Sequence, residues 1–284
     1  MSPRMAWAGL LVGIGVMSLW SVIAGVSLPL TLIVLCLFLL TMIAMTRMIS
    51  EGGMLFIQTP FRPIDLISPV TGTAAFSGAS LTLLAFQEMV FMFDVRSSMM
   101  PSVMDAFKLV DNSRLKQRYL LAPVGASIVI SMIVSSITVL VIAYRYGGTN
   151  LSGWFFIGAP QLPFRRLTAQ LFYPQEPDGY SLLMMGIGAV ITIALTALRT
   201  RFLWWPFHPI GFAMGPSWPM IQLWCSVLIG WFCKWTVLRS GGIRLYRQWR
   251  PFFLGLVLGE FLSGGLWLMI DFWAGKQGHR IFLF

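Results

Sequence analysis

Charge is what this 284-residue chain most lacks: Asp, Glu, Lys and Arg make up 11% of it. A soluble domain carries about 25% charged residues, so there is not enough charge here to coat a water-facing globule of this size. Histidine is nearly absent too. His208 and His279 are the only two, so no multi-histidine metal centre can form within the chain. The three cysteines, Cys36, Cys225 and Cys233, all sit in apolar runs without a Cys-x-x-Cys pair, which excludes a disulfide scaffold and reads as packing thiols. G-x-S-x-G, a phosphate-cradling glycine loop and a carboxylate pair at a recognisable spacing are all missing. No enzyme class is selected, a lipid-modifying one included, because the acids are scattered. No cofactor is expected.

What is abundant is apolar. Hydrophobic residues reach 57%, with 12 Trp, 22 Phe and 18 Met, and the mean hydropathy is +0.78. That composition predicts an all-α integral membrane protein with the lipid bilayer as its partner. The net charge of +10 falls mostly in gaps between apolar runs. The basic residues therefore read as topology signals beside anionic lipid, not as a nucleic-acid surface.

The apolar runs predict one polytopic membrane domain over 1–284, a bundle of about 7–8 transmembrane helices, with spans near 6–26, 29–46, 73–93, 119–144, 181–198, 220–238 and 252–270. Ser27 and Pro29 suit the start of the second span, so the first two runs form a hairpin and not a cleaved leader. Residues 47–72 hold Arg47, Glu51, Gly52, Gly53, Pro60, Pro63, Asp65, Pro69 and Gly72. They read as an interfacial or re-entrant stretch around Met54–Ile57. Residues 94–118 are the most polar segment, with a short surface helix expected among the charges. Residues 145–180, with Pro160, Pro163, Pro174 and Pro177, read as a long loop.

Residues 202–219 are apolar enough to enter the bilayer, yet their prolines and glycines forbid one continuous helix. The two basic loops, with Arg96, Lys108, Arg114, Lys116 and Arg118 in one and Arg239, Arg244, Arg247 and Arg250 in the other, both read as cytoplasmic. An even number of crossings must then separate them. Only three clean spans do, so 202–219 is expected to cross as a broken, re-entrant or discontinuous element lining a cavity. The alternative is that one basic loop is external.

Glu260 lies mid-span, where a carboxylate costs roughly 2.5–3.5 kcal/mol on insertion scales; it is the leading candidate for a substrate or proton pathway. Gly255 and Gly259 beside it allow close helix approach. Glu88, with Gln87, reads more simply as a membrane-boundary ion pair, alongside Asp94 and Arg96. His208 reads as a structural group or a proton relay. Glu51 reads as a helix-end group or as lining a re-entrant turn. Gly211 and Gly215 mark the broken segment.

Two stretches carry a family likeness. Phe91 to Pro123 contains F-D-V-R-S-S-M-M-P-S and D-A-F-K-L-V-D-N-S-R-L-K-Q-R-Y-L-L-A-P. P-I-G-F-A-M-G-P-S-W-P (209–219) is followed some 40 residues later by R-P-F-F-L-G-L-V-L-G-E-F-L-S-G-G (250–265). The chain resembles the oligopeptide-transporter-like superfamily, and more closely the uncharacterised bacterial membrane families near it. The resemblance covers about a third of the chain. It implies a C-terminal half-carrier in a bacterial cytoplasmic (inner) membrane, proton-coupled uptake of small peptides, metal chelates or related solutes, and an N-terminal half-carrier or a homo-oligomer as partner. It leaves open whether Met1 begins the protein. The rival expectation is a non-transporting membrane subunit or scaffold.

Overall fold

The computed structural model describes residues 3–52, 61–92, 99–113, 118–202 and 204–276. Every regular element among them is helical and no strand occurs, as an apolar chain must arrange if its backbone groups are to be satisfied in lipid. Among the described residues, five helices are long and apolar enough to cross a membrane. The chain divides into two compact units, Met1–Ser217 and Trp218–Phe284.

In the first unit, α1 (Pro3–Ala24) and α2 (Leu28–Gly52) form the expected hairpin. Gly25, at φ 110, makes the reversal, and the Ser27 carbonyl accepts the Thr31 N–H at 3.0 Å to start α2. α2 runs past Arg47, whose Nε meets Glu51 Oε1 one turn on at 2.7 Å. The helix therefore extends beyond the apolar run, because an i,i+4 pair carries its last turn. Residues 53–60, and with them the expected re-entrant stretch around Met54–Ile57, lie outside the described residues.

α3 (Pro63–Thr71) begins with proline in its first turn, and Asp65 Oδ2 accepts the Arg62 backbone N–H at 3.0 Å. α4 (Gly78–Gln87) is capped by Ser77, whose Oγ accepts the Ser80 N–H. It continues as a π-turn over Glu88–Met92. The span expected at 73–93 thus starts five residues late, since Thr73 to Ser77 form turns. α5 (Met99–Asn112) is the surface helix expected in the polar segment. α6 (Arg118–Tyr146) carries the β-branched span.

Residues 145–180 are not a loop. A π-turn over Trp154–Gly158 leads into α7 (Ala159–Phe172). Pro160 sits in its first turn, where it removes no helical hydrogen bond, and Pro163 is fully buried within it. α8 (Gly179–Arg201) follows, capped by Asp178, whose carboxylate accepts the Tyr180 and Ser181 N–H groups. The described part of 202–217 holds one short helix, α9 (Pro209–Met214).

Three apolar clusters hold this unit together. Val26, Leu30 and Val34 pack with Ile67 of α3 and Leu84 of α4. Leu81 and Ala85 pack with Leu167 of α7. Met42, Met45 and Ile49 pack with Met214 of α9. The first cluster uses the beginning of α2 and the third its end. α8 starts beside α3, where Asp178 N–H donates to the Pro69 carbonyl at 3.0 Å, and the chain after it reaches the end of α2. α8 therefore runs in the same direction as α2.

The second unit is α10 (Trp218–Ala274), in which Gly242 (φ 60, ψ −156) breaks two arms that are otherwise continuous. The spans expected at 220–238 and 252–270 fall on either side of that glycine. The basic stretch between them is helical instead of a loop, because Arg and Lys are good helix formers.

Candidate functional site

Four charged residues of the first unit, Arg62, Asp65, Glu88 and Arg166, converge where α3, α4 and α7 meet. Glu88 is the first residue of the π-turn, and its Oε1 forms an ion pair with Arg62 Nη1. The two side chains are 10% and 15% exposed. Two backbone devices bring them together. Pro63 and the Asp65 bond to the Arg62 N–H fix the entry to α3. The Gln87 amide, buried, donates to Ser21 Oγ of α1 at 2.6 Å and fixes the exit of α4. π-turns inside helices often accompany functional sites, and this one begins at the buried acid.

Asp65 and Arg166 stand in front of that pair. Arg166 Nη1 lies 3.6 Å from Asp65 Oδ2, and both side chains are substantially exposed. Burial, then the facing Arg166 guanidinium, pulls Arg62 down to about 10, while Asp65 acts in the opposite sense. Arg62 thus remains a cation near neutral pH. A small cleft opens here, with room for about one water. Asp65, Glu88, Arg166 and Gln170 give it polar walls, and Ile64, Leu84 and Pro163 apolar ones. Two acids facing two guanidiniums can hold or exchange a proton, or admit a polar group between the outer pair.

Of the residues singled out in sequence, only Glu88 belongs to this cluster. Glu88 is paired with Arg62, and Asp94 and Arg96 lie outside the described residues. Glu51 is exposed in its pair with Arg47 on the last turn of α2. His208 is the N-cap of α9, its Nδ1 accepting the Ile210 N–H at 3.1 Å. That bond caps the first turn of α9. Gly211 and Gly215 sit in and just after α9, where the Gly211 carbonyl accepts the Gly215 N–H.

Glu260 lies on α10, exposed on its own unit, and its carbonyl accepts the Ser263 hydroxyl. Gly259 precedes it. Arg239, Arg244, Arg247 and Arg250 are exposed along α10, with Arg239 stacked over the Trp235 ring at 5.1 Å. Lys108 is exposed on α5, and Arg118 opens α6. Arg114, Lys116 and His279 lie outside the described residues. No two of these candidates share a hydrogen bond or ion pair among the described residues. No group of three His, Cys, Asp or Glu that could hold a metal occurs among them either.

Arg62, Asp65, Arg166 and Gln170 are the cluster members that sequence reasoning missed. Arg62-Pro63-Ile64-Asp65 does spell a helix start with an acid at its third position. Nothing local points from there to residue 88 or 166.

The chain belongs to the family described as Family of unknown function (DUF6785), whose model matches residues 1–283. No curated protein and no solved structure matches it.

Proposed function

We propose that this DUF6785 protein is a multi-span membrane carrier of the secondary-transporter type, and that Glu88 is its coupling carboxylate. The buried Arg62–Glu88 pair carries this reading. The Gln87 bond to Ser21 sets Glu88 about one helical turn inside the end of α1, hence within the hydrocarbon edge. Ionisable groups at that depth are expensive and mark ion or substrate paths. A neighbouring cleft gives this one access to water. Protonation of Glu88 would weaken its pair with Arg62, the kind of local charge change that biases a two-state element.

Counting the two arms of α10 separately, α1, α2, α6 and α8 bring the crossings to six, and α4 with its π-turn enters the membrane without crossing it. The segment 202–217 is then a re-entrant turn against the end of α2. On this reading Arg4, Arg47, Arg199 and Arg201 share the cytoplasmic side, in a bacterial inner membrane. Small peptides or related solutes, coupled to protons, are the cargo that the family resemblance suggests. Glu260 stays a second pathway candidate.

Purified protein in liposomes loaded with a pH-sensitive dye tests the reading. A pH gradient with external alanyl-alanine is expected to acidify the lumen, and Glu88→Gln to abolish that signal. Equal acidification by wild type and variant would remove Glu88 from the coupling role.

A second reading, a non-transporting subunit, draws on α6 and α8, whose spans bury no residue in this structure. Those faces need lipid or another protein. Stable association with a second membrane protein, together with no flux, would favour it over the carrier.

A further inference from the structure

We infer that the Arg166–Gln170 face of α7 is a binding site for a small oxyanion group, a carboxylate or a phosphate, presented at the mouth of the cleft. The inference uses the same cleft as the carrier reading but does not need transport to occur.

Donors and acceptors around the cleft are unevenly matched. Asp65 Oδ2 already accepts the Arg62 backbone N–H at 3.0 Å, and Glu88 Oε1 faces the Arg62 guanidinium. The strong contacts of both acids are thus directed inward. The donors on α7 are not. Arg166 offers five N–H groups and, among the described residues, reaches only Asp65, at 3.6 Å, which exceeds hydrogen-bond length. Gln170 is one turn further along the same face, lines the same cleft and makes no hydrogen bond among the described residues. Arg166 is 51% exposed, so a ligand can reach it without unfolding anything.

Charge points the same way. Arg62 is neutralised by Glu88 behind it, while Arg166 repels Arg62. An oxyanion bridging Arg166 and Gln170 relieves that repulsion and replaces a loose contact with charge-assisted hydrogen bonds. The cleft itself holds little more than one water. The site therefore takes the edge of an anionic group and leaves the rest of the ligand outside. Arg165, next in sequence, already spends its Nη2 on Gln161 Oε1 at 2.9 Å, which makes it the natural control.

The test uses the full chain in an uncharged detergent, with thermal unfolding followed by tryptophan fluorescence. Acetate and inorganic phosphate are titrated at constant ionic strength against chloride. Both arms of the source question are run: the free anions, and nanodiscs of phosphatidylcholine with or without phosphatidylglycerol. Stabilisation by the free anions assigns the site to a solute, and stabilisation by phosphatidylglycerol alone assigns it to a lipid headgroup. In either case Arg166→Gln and Gln170→Leu are expected to raise the half-saturating concentration, the former by about tenfold. Arg166→Lys is expected to recover part of the loss, and Arg165→Gln to match wild type. No stabilisation of wild type from either source, or equal losses in Arg165→Gln and Arg166→Gln, overturns the inference. Because occupancy is read without flux, a null transport result for Glu88→Gln leaves this outcome untouched.

Discussion

Gln87 Nε2 donates to Ser21 Oγ at 2.6 Å, a buried bond that ties α4 to α1. The same Ser21 hydroxyl donates to the Met17 carbonyl at 2.8 Å, so its capacity is spent in both directions. Glu88 and its π-turn follow directly, and this bond sets the depth of the buried acid. Ser21→Ala leaves the Gln87 amide buried without its acceptor and is expected to cost about 1–3 kcal/mol. Ser21→Ala combined with Gln87→Leu is expected to recover most of that. A double-mutant cycle on unfolding in detergent checks both figures, and additive single losses would mean the two residues do not interact.

The Arg62–Glu88 pair allows a sharper asymmetry. Removing one partner of a buried ion pair typically costs about 3–5 kcal/mol, because the other charge is stranded, whereas replacing both with apolar groups is often neutral. Arg62→Leu and Glu88→Leu are each expected to unfold at a lower temperature, and the double variant near wild type. If the carrier reading holds, that stable double variant also lacks coupled proton movement. Fold and coupling are then read separately in one protein.

Gly72 is held by conformation and by space. Its φ of 72 and ψ of 161 are open in practice only to glycine, and a Cβ there would lie 2.7 Å from the Gln175 carbonyl oxygen. The chain approaches so closely because the Thr73 N–H donates to that same oxygen, at 2.8 Å, and the Gln175 N–H donates to Thr73 Oγ1. Gly72→Ala is expected to destabilise by about 1–3 kcal/mol. Gly211→Ala, where no atom is within 4 Å of a built Cβ, is expected to stay within about 0.5 kcal/mol of wild type. Melting temperatures of the two variants check the contrast.

Much of this fold was legible in the residues, and the exceptions have physical causes. Long apolar runs announce α1, α2, α6 and α8, since length and hydropathy are local properties. Ser27 and Pro29 announced the hairpin for the same reason. α7 was hidden by Pro160 and Pro163, which read as breakers, whereas Pro160 falls in the first turn and the helix continues through Pro163. The two arms of α10 read as separate spans because the Arg-rich stretch looks like a loop, whereas arginine costs a helix little. The candidate site was the least legible part. Glu88 could be suspected from its depth in an apolar run, but Arg62 and Arg166 sit 26 residues before it and 78 after it. Only the tertiary packing of α3 and α7 on α4 brings them to it. His208 stood out as a rare residue between prolines, and its bond to Ile210 gives it a capping role that no composition argument distinguishes from catalysis.

Asp178 gives a pH prediction with a defined sign. The Ser181 hydroxyl, then the Tyr180 N–H, hold its carboxyl below the usual value of 3.8. A carboxylate with a depressed folded-state value adds stability above its unfolded value and loses it as pH falls through the folded one. The start of α8 is therefore expected to fray as the pH drops from about 5 toward 3. Asp178→Asn keeps an acceptor for the cap but not the charge, so it is expected to remove this share of the acid sensitivity. Hydrogen exchange at Tyr180 and Ser181 across that range reads the cap directly, and identical pH profiles for wild type and variant would refute it.

The glycines of α10 separate a self-sufficient chain from one that needs another helix beside it. Within this unit, no atom lies near a Cβ built at Gly255 or Gly259. Glycine in a helix interior costs roughly 0.5–1 kcal/mol relative to alanine through backbone entropy. If lipid alone covers this face, Gly255→Ala and Gly259→Ala are each expected to stabilise the purified chain by a few tenths of a kcal/mol or more. If a partner helix packs there, the Gly-x-x-x-Gly spacing admits its backbone, and the same methyl groups push it away. Molecular mass in a mild detergent, measured beside the melting temperature, distinguishes the two. A complex that dissociates on substitution places the partner helix against Glu260, and a monomer that gains stability leaves that carboxylate to water or lipid headgroups.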